Sequence, residues 1–537
     1  MKLKSSIYLI ITLISLIASL MTYAQSYKYR VWLSDKDTTQ YSLQQPEKFL
    51  SESSIARRQR QGIAIDMSDI PVSDAHLRSI EKLGVRIVTT SRWMNTAVIA
   101  LNDTTLLHKI TSLPCVDSIK CVWKETSTDD THNRRHTKMP LSSTHVTLAN
   151  NGSSYGYAQQ QIQLLNLDSL HAIGYKGNGM TIAVLDAGFY DIENSAYIHQ
   201  DKIIGRYDLP HGVMNYKYET HGSEVLSCMA ADVAGEYIGS APEAQYWLFV
   251  TEDVDSEYPI EEDYWVTAAE IADSAGVDII NTSLAYTTFD DESMNYTQSQ
   301  LDGESAFISQ AAGIAAKKGM LVVIAAGNEF NKSWGKIGFP ADAHGCMTVG
   351  SVNADGKHSS FSSSGYTTDG RVKPDVMSMG GSAYAISDDN YIKCASGTSY
   401  AAPIMCGALA CLWQSHPEWS AAELIERVHQ ASSQYHHPDP LYGYGIPDIY
   451  AAYRAASGVD HTHHSPIEVH IVNKQLHILN DNHHARLLIY DSGGRCLFHR
   501  VVASDDVIDL SHLEAGLYIA VITYDSDFIT QKLIITS

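Results

Sequence analysis

Four polar residues, Asp186, His221, Asn328 and Ser399, stand where a parallel α/β sheet would place reactive groups. Asp186 and Asn328 each follow a short apolar run typical of a buried strand, whereas His221 and Ser399 each begin a segment typical of a helix. A serine hydroxyl becomes a nucleophile when an imidazole takes its proton and a carboxylate orients that imidazole. The set therefore predicts nucleophilic catalysis, provided that the fold brings the residues together.

Ser399 lies in the stretch Gly397–Pro403, directly before the apolar segment Ile404–Trp413. That segment is predicted to be a buried helix with Ser399 at its start. Backbone N–H groups of a first turn lack intrahelical partners, and the helix dipole adds positive charge, so an oxyanion beside Ser399 would be stabilised. A serine at a helix start is also a common N-cap, and this motif alone leaves both interpretations open.

Asp186 and Asn328, the two residues that follow predicted strands, have different chemical properties. Asp186 follows the run 181–185 and stands at the sheet edge where α/β proteins bind ligands. Asn328 follows the run 320–326, and its amide can donate to an oxyanion, a donor whose loss typically costs about 10²–10³ in turnover. A lone Asp or His in such a place is usually a cap or a buried structural group, so the prediction rests on the whole set.

The order Asp, His, Asn, Ser, together with the motifs around it, resembles the subtilisin-like serine proteases. The resemblance implies that Asp186, His221 and Ser399 form a catalytic triad and that Asn328 and the Ser399 N–H form an oxyanion hole. It implies a secreted endopeptidase that acts on protein or peptide substrates. The matching motifs are TIAVLDAG (181–188), HGSEVLS (221–227), IINTSL (279–284), AAGNE (325–329), FPADA with TVGSV and FSSSG (339–365), KPDV (373–376) and SGTSYAAP (396–403).

The resemblance also implies a strand that pairs with extended substrate and a first specificity pocket. The residues predicted to contact substrate are Ser283, Leu284, Ala285, Gly327 and Glu329.

Three residues depart from the family pattern. Ala285 stands where the family usually has glycine, so its methyl group is predicted to narrow the first pocket. Glu224 replaces a second histidine and Ser227 replaces a glycine. Both follow the catalytic histidine on its helix, so they are expected to affect packing more than chemistry.

Two other functions remain open at this point. Gly152–Gly156 matches the esterase pattern GxSxG with Ser154 as nucleophile, although the motif follows a polar linker where that fold requires a strand. A catalytically silent relative kept for binding is the second alternative, and it would lack a triad member, whereas all three are present.

Length and charge limit the remaining possibilities. A chain of 537 residues exceeds one hydrophobic core, so two to four domains are expected. The net charge of −23 predicts an acidic, soluble surface and argues against nucleic-acid partners. No internal stretch reaches the length of a membrane-spanning helix, so no span is expected in the mature protein.

Residues 1–24 resemble a secretory signal peptide, with a basic start, an apolar core and small residues before Gln25; a retained anchor is the alternative. Export exposes the eight cysteines to oxidation, and their disulfide connectivity is left open. Cys115 and Cys121 could bridge locally, whereas Cys406 and Cys411 are predicted to be buried thiols.

Residues 26–125 are predicted to form a small α+β domain with strands at 27–33, 86–90 and 97–101. Its helices are predicted at 46–61, 74–83 and 103–112. Its position resembles that of the family's inhibitory pro-domain, and a permanent accessory domain is the alternative. The basic run Arg57–Arg60 is expected to be a solvated helix face rather than a cleavage site. The polar linker 126–154 contains Arg134–Arg135, a candidate site for proteolytic cleavage.

Residues 155–457 are predicted to form the catalytic domain, with a parallel sheet covered by helices on both faces. The predicted strands are 181–185, 245–250, 278–282, 320–326 and 346–352, and the predicted helices are 264–275, 304–318, 399–414 and 421–431. The resemblance implies that the reaction requires no cofactor. It also implies a structural calcium site near Gln159–Asn166, whose remaining ligands are unknown.

Seven carboxylates lie within Glu252–Asp263. In the family this loop borders the substrate groove, so one interpretation is attraction of Lys or Arg side chains of the substrate, with Glu329 contributing. The favoured alternative is a solvated acidic face.

Residues 458–465 form a short linker, and 466–537 alternate between apolar and polar residues as in a small β-sandwich. The pattern LIYDSGGRCL to KLIIT resembles the sorting domain of type IX secretion substrates. That resemblance implies the type IX machinery as a partner and a secreted or cell-surface location at the outer membrane. A carbohydrate-binding or protein-binding module is the alternative.

Overall fold

The computed structural model describes residues 26–36, 40–125, 143–145, 153–212, 219–456, 467–472, 474–480, 485–491, 494–502, 506–524 and 527–535. The chain divides into two compact units, Met1–Tyr453 and Arg454–Ser537. The predicted signal peptide and the Arg134–Arg135 cut lie outside the described residues. Within the described residues, every helix is too short or too polar to span a bilayer.

The N-terminal part of the first unit is an antiparallel sheet with three short helices. The strand order is β2-β3-β1-β4 in the numbering that follows, and β1 pairs with both β3 and β4. The elements are β1 (Tyr27–Leu33), α1 (Glu52–Arg60), α2 (Asp74–Glu81), β2 (Arg86–Ser91), β3 (Thr96–Leu101), α3 (Leu107–Thr111) and β4 (Val116–Lys124). The α+β prediction for this region is confirmed, although β4 was not predicted as a strand.

The rest of the first unit contains a large parallel sheet, its helices and short antiparallel ribbons. The strands are β5 (Ser143–His145), β6 (Thr181–Asp186), β7 (Ile203–Asp208), β8 (Asp232–Val233), β9 (Tyr237–Ile238), β10 (Gln245–Val250), β11 (Ile279–Thr282), β12 (Leu321–Ala325), β13 (Met347–Val352), β14 (Gly365–Tyr366), β15 (Val372–Lys373), β16 (Val376–Met379), β17 (Ala383–Ile386) and β18 (Ile392–Ala395). The helices are α4 (Gln159–Gln163), α5 (Leu167–Ala172), α6 (His221–Ala230), α7 (Ile260–Ala275), α8 (Phe307–Lys317), α9 (Thr398–Ser415), α10 (Ala421–Gln430) and α11 (Ile449–Ala456).

Seven of these strands form the parallel sheet, in the order β16-β13-β12-β11-β6-β10-β7. Strands β11, β12 and β13 are buried along their whole length, as expected for a sheet covered on both faces. Alternate residues such as Ile280, Val322 and Ile324 pack with α7 and α8 in one hydrophobic core. Their neighbours point to the other face, where α9 contacts β11, β12, β13 and the edge strand β16. The predicted subtilisin-like sheet is therefore confirmed.

The N-terminal sheet packs against α7 and α8 through buried ions as well as apolar side chains. Arg57, Arg58 and Arg92 all donate to the carboxylate of Asp273 on α7, with the Arg58 contacts at 2.9 Å and the Arg92 contact at 2.8 Å. Arg57 and Arg58 are each 1 % exposed. The expectation that the basic run is a solvated helix face is therefore wrong for Arg57 and Arg58, because their buried acidic partner lies more than 200 residues away; Arg60 is exposed.

The second unit is a two-sheet β structure, as predicted. One sheet has the order β19-β20-β23 and the other β22-β21-β24-β25, and side chains from both form a common core. The strands are β19 (Ile467–Val472), β20 (Gln475–Asn480), β21 (Ala485–Asp491), β22 (Cys496–Val502), β23 (Asp506–Asp509), β24 (Gly516–Tyr524) and β25 (Asp527–Ile535).

All eight cysteines lie in described residues and all are free. Cys115 and Cys121 are both free, so the local bridge between them is not formed. Cys406 and Cys411 are buried thiols on α9, as predicted.

Candidate active site

His221 and Asp186 form a buried pair. His221 Nδ1 lies 2.7 Å from Asp186 Oδ1, and the side chains are 6 % and 0 % exposed. They meet because β6 ends at Asp186 and α6 begins at His221. Burial alone would lower the pKa of His221, but the Asp186 carboxylate and its hydrogen bond, followed by Glu224 and Glu219, raise it to about 9. Asp186 can therefore orient the His221 imidazole and stabilise its charged form.

The other ring nitrogen of His221 is available to a reacting group. Nε2 is buried and has no hydrogen-bond partner among the described residues. Because the same ring bonds Asp186 through Nδ1, this unpaired nitrogen is the candidate to accept a proton. The His221 ring lies 6.3 Å from the ring of Tyr400, centroid to centroid, and Tyr400 directly follows Ser399. The fold thus places His221 beside the helix start that carries Ser399.

Ser399 lies in the first turn of α9 and is half-buried. The N-cap of α9 is Gly397, which offers no side-chain cap, so the interpretation of Ser399 as an N-cap is wrong. The Ser399 carbonyl accepts a hydrogen bond of 2.9 Å from Ser283 Oγ, which ties the helix start to the segment after β11. The Ser399 hydroxyl is therefore not needed to begin the helix.

Asn328 is oriented by its carbonyl oxygen. Oδ1 accepts hydrogen bonds from the Thr398 backbone N–H at 2.9 Å and from Thr398 Oγ1 at 3.1 Å. A Cβ placed on Gly397 would lie 3.7 Å from both Asn328 Nδ2 and the Ser399 N. The amide nitrogen of Asn328 and the Ser399 N–H therefore flank the same small volume, an arrangement that can bind an oxyanion.

Comparison with known proteins identifies the region that holds these residues. The model of the subtilase family, Peptidase S8, matches residues 177–445, about half of the chain. The chain belongs to the subtilase family. The Bacteroidota Peptidase S8 propeptide domain matches residues 28–138, and a secretion system C-terminal sorting domain matches residues 472–536. The subtilase is therefore a serine-type endopeptidase with a propeptide and a type IX sorting domain, which directs it to the cell surface or the exterior.

Individual relatives agree with this assignment. The subtilase is 29 % identical to subtilisin E of Bacillus subtilis (strain 168) over 307 residues, which cover 56 % of this chain and 73 % of the relative. It is 28 % identical to subtilisin of Bacillus pumilus over 303 residues, covering 56 % and 98 %. A solved structure of MycP1 from the ESX-1 type VII secretion system matches with a TM-score of 0.44 and 19 % identity, covering 58 % and 91 %.

The residues predicted to contact substrate in the subtilase lie on two adjacent segments. Ser283 and Leu284 follow β11 and are buried, whereas Ala285 is exposed. Gly327 follows β12 with φ +103°, a value that favours glycine, and Glu329 forms an ion pair with Lys332 at 2.9 Å. The two segments leave β11 and β12, which are neighbours in the sheet.

Ala285 comes close to Gly338. A Cβ built on Gly338 would lie 2.9 Å from the Cβ of Ala285, so no side chain fits there without movement. The extra methyl group at position 285 therefore fills space that a glycine would leave open.

Ser154, the alternative nucleophile, is exposed in a turn that precedes α4. Its carbonyl accepts a hydrogen bond from the Gly235 N–H at 2.8 Å. A nucleophile elbow places its serine on a sharp turn that leads directly into a helix, whereas α4 begins only at Gln159, after the turn that holds Ser154.

The acidic segment Glu252–Asp263 is not a solvated face. Glu252, Glu262 and Asp263 are at most 3 % exposed. Arg30 of β1 donates to Asp263 at 2.7 and 2.6 Å, and Glu262 lies 3.4 Å from the same guanidinium. The favoured sequence interpretation is therefore wrong for Glu262 and Asp263, which Arg30 covers, and for Glu252, which accepts from Tyr286 Oη, although Asp255 is exposed.

Few described groups could hold a metal ion. The predicted calcium segment Gln159–Asn166 fits poorly, because the Gln161 amide already bonds Tyr237 Oη at 2.7 Å and the Tyr384 N–H at 3.0 Å. A different set is better suited to calcium, which prefers carboxylate and carbonyl oxygens. Glu252, Glu257 and Glu261 each place one oxygen within 4.8 Å of the others.

Sequence reasoning missed the contacts of Glu224. This carboxylate is bonded to Lys393 Nζ at 2.5 Å and to Tyr400 Oη at 2.6 Å. The sequence did indicate that position 224 is special, because Glu224 stands where the family usually has a histidine. No sequence pattern, however, identified the partners of its carboxylate.

Proposed function

We propose that the subtilase cleaves peptide bonds through an acyl-enzyme formed on Ser399. The observation that carries the proposal is the buried His221–Asp186 pair, whose second imidazole nitrogen lies beside the helix start bearing Ser399 and has no partner in the part of the chain that the structure describes. A catalytically silent relative would lack a triad member, whereas Asp186, His221 and Ser399 are all present.

The proposed reaction begins when Ser399 Oγ attacks the peptide carbonyl and its proton passes to His221 Nε2. Asp186 accepts the Nδ1 hydrogen bond, holds the ring in the required tautomer and stabilises the imidazolium. His221 then gives the proton to the leaving amine, which leaves an ester on Ser399. Water, deprotonated by the same imidazole, hydrolyses the ester and restores the serine.

Negative charge on the former carbonyl oxygen is proposed to be held by Asn328 Nδ2 and the Ser399 N–H. Two observations support this role. The Cβ position built on Gly397 lies 3.7 Å from both nitrogen atoms, and the Asn328 amide has a fixed orientation. Donors that are oriented before the reaction stabilise the transition state without further rearrangement.

Extended substrate is proposed to pair with Ser283–Ala285 and to place its first side chain between this segment and Gly327–Glu329. The close approach of Ala285 to Gly338 supports a narrow pocket. We therefore propose a preference for small or unbranched side chains there. A preference for basic substrates has less support, because Glu329 is already paired with Lys332.

Maturation is proposed to involve both flanking domains. A signal at 1–24 would start export, the domain 26–125 would inhibit the catalytic domain 155–457, and the domain 466–537 would engage the type IX machinery. The buried ion contacts of Arg30 and Asp273 support tight association of the N-terminal domain. A structural calcium ion is proposed to bind at Glu252, Glu257 and Glu261, where it would stabilise the fold rather than take part in the reaction.

Two matched variants test the proposal. Ser399→Ala and Ser154→Ala would each be assayed on casein and on a small ester. We expect Ser399→Ala to abolish both activities and Ser154→Ala to leave both unchanged. Loss of ester hydrolysis in Ser154→Ala alone would establish the esterase, and absence of activity in the unmodified chain, with its N-terminal domain removed, would indicate the silent relative.

A further inference from the structure

The side chain of Glu224 connects three elements around the proposed triad. Glu224 lies one turn after His221 on α6, so the two side chains share a helix face. Its Oε2 accepts from Tyr400 Oη at 2.6 Å, and its Oε1 accepts from Lys393 Nζ at 2.5 Å. Thr220 Oγ1 adds a contact of 3.4 Å to Oε1.

The partners of Glu224 lie on both sides of Ser399 in the chain. Tyr400 is the next residue on α9, and Lys393 belongs to β18, which leads into α9. One carboxylate on the helix of His221 therefore binds the strand before the proposed nucleophile and the residue after it. The direct link between Asp186 and His221 does not reach Ser399 in this way.

The connection is buried. The Glu224 and Lys393 side chains are 4 % and 11 % exposed, and Tyr400 is fully buried. Burial, followed by the charge of Glu224 and its hydrogen bond, raises the pKa of Tyr400 well above its ordinary value, so the hydroxyl remains a donor. A charge-assisted hydrogen bond in a buried site is among the stronger side-chain contacts, and its loss would leave a polar group without a partner.

We propose that Glu224 and Tyr400 are positioning residues that hold the Ser399 hydroxyl in line with His221 Nε2. The inference rests on the proposed triad. A displacement of about 1 Å between reacting groups can cost on the order of 10² in rate, so a single hydrogen bond that fixes two helices against each other can affect turnover strongly.

Glu224 has a second, electrostatic effect on His221. The charged groups around the imidazole are Asp186 on β6, Glu219 before α6 and Glu224 on α6, and all three carboxylates favour the imidazolium. Tyr400 on α9 is neutral, and Lys393 on β18 opposes the carboxylates. Removing the Glu224 charge favours the neutral imidazole, whereas removing the Tyr400 hydroxyl leaves the charge in place. The two residues can therefore be separated by experiment.

The test compares Tyr400→Phe, Glu224→Gln and the double variant after removal of the N-terminal domain, with rates expressed per site titrated by a fluorophosphonate. For Tyr400→Phe we expect kcat to fall between about 10-fold and 100-fold while KM stays within about twofold. Its pH profile should keep the acid limb of the unmodified protein. For Glu224→Gln the acid limb should move to lower pH. The double variant should lose less than the product of the single losses, because both remove the same contact.

Tyr246→Phe is the matched control, since it removes a buried hydroxyl that donates to the Ala241 carbonyl at 2.7 Å. We expect it to lower thermal stability without changing kcat. If Tyr400→Phe behaves like this control and Glu224→Gln leaves the acid limb in place, the contact serves packing only and the inference fails. If Glu224→Gln does not fold, Tyr400→Phe alone decides. Retained activity in Ser399→Ala would instead reject the triad itself.

Discussion

Two aspartates of the first unit, Asp186 and Asp273, are buried to the same degree but have different surroundings. Both are 0 % exposed. Asp273 has two oxygens bonded by three arginines, whereas Asp186 Oδ1 accepts from His221 and the Ala187 N–H and its Oδ2 has no hydrogen-bond partner among the described residues. Asp273 contacts the N-terminal domain, whereas Asp186 contacts the titratable ring of His221 within its own domain.

The two environments suit Asp273 to association between domains and Asp186 to its proposed part in catalysis. Burial alone would raise the pKa of Asp273, but the hydrogen bonds and charges of Arg58, Arg57 and Arg92 hold it below its ordinary value. Such a carboxylate is fixed in its charged form and is suited to holding domains together. At Asp186 the charge is directed to an imidazole whose other nitrogen is unpaired. The incomplete pairing there allows a proton to move.

The largest expected effect is on catalysis at Asp186. Asp186→Asn keeps the shape of the side chain but favours the wrong tautomer of His221, so kcat should fall by about 10⁴. Steady-state kinetics on a peptide substrate would measure the loss. Asp273→Asn, assayed after removal of the N-terminal domain, is the matched control and should retain kcat.

Asp273→Asn should instead weaken the binding of the N-terminal domain to the catalytic domain. Breaking a buried ion pair on one side costs about 3–5 kcal/mol, so the dissociation constant of the cleaved domain should rise by on the order of 10²–10³. Dilution of the co-purified complex would measure it through the recovery of activity. Arg60→Gln is the control, because Arg60 is 39 % exposed and 3.8 Å from its partner, Asp278. Equal dissociation of the two variants would contradict the role of Asp273.

The pH profile tests the charge at Asp186. His221 must be neutral to accept a proton, and the carboxylates around it raise its pKa to about 9. Activity should therefore increase with pH well above 6.5, and below the pKa kcat/KM should fall about tenfold per pH unit. Asp186→Asn removes the main charge and should move the acid limb to lower pH. An unchanged limb would mean that another group controls it.

Ala285→Gly should have the smallest effect and should change specificity only. Removing the methyl group opens space toward Gly338, so kcat/KM for large aromatic side chains should rise about tenfold relative to small ones. Comparing substrates within one variant cancels general effects of glycine on flexibility. A constant ratio would show that position 285 does not limit the pocket.

The central sheet could be predicted where local sequence determines burial. β6, β10, β11, β12 and β13 are short apolar runs, and they were predicted with boundaries close to those observed. The edge strands β7 and β16 were missed. β7 is only half-buried and carries charged residues, and β16 contains Ser378 and lies close after the Lys373–Pro374 bond, so neither has the apolar pattern of a central strand.

The site could be predicted as a set of residues but not as a network. Asp186, His221, Asn328 and Ser399 occupy strand ends and helix starts, which are positions that sequence patterns reveal. Asp273, which pairs with Arg57 and Arg58, and Tyr400, which pairs with Glu224, lie more than 160 residues away from these partners in the chain. A local sequence pattern predicts only how exposed a segment would be in isolation. Long-range pairing therefore reversed the predictions for the basic run and the acidic segment.

The most direct test of the triad is fluorophosphonate labelling of the unmodified protein and of His221→Ala, both after removal of the N-terminal domain, followed by peptide mapping. We predict a single adduct on Ser399 in the unmodified protein and a large loss of labelling rate without the imidazole. An adduct on Ser154, or equally fast labelling of Ser399 in His221→Ala, would contradict the account.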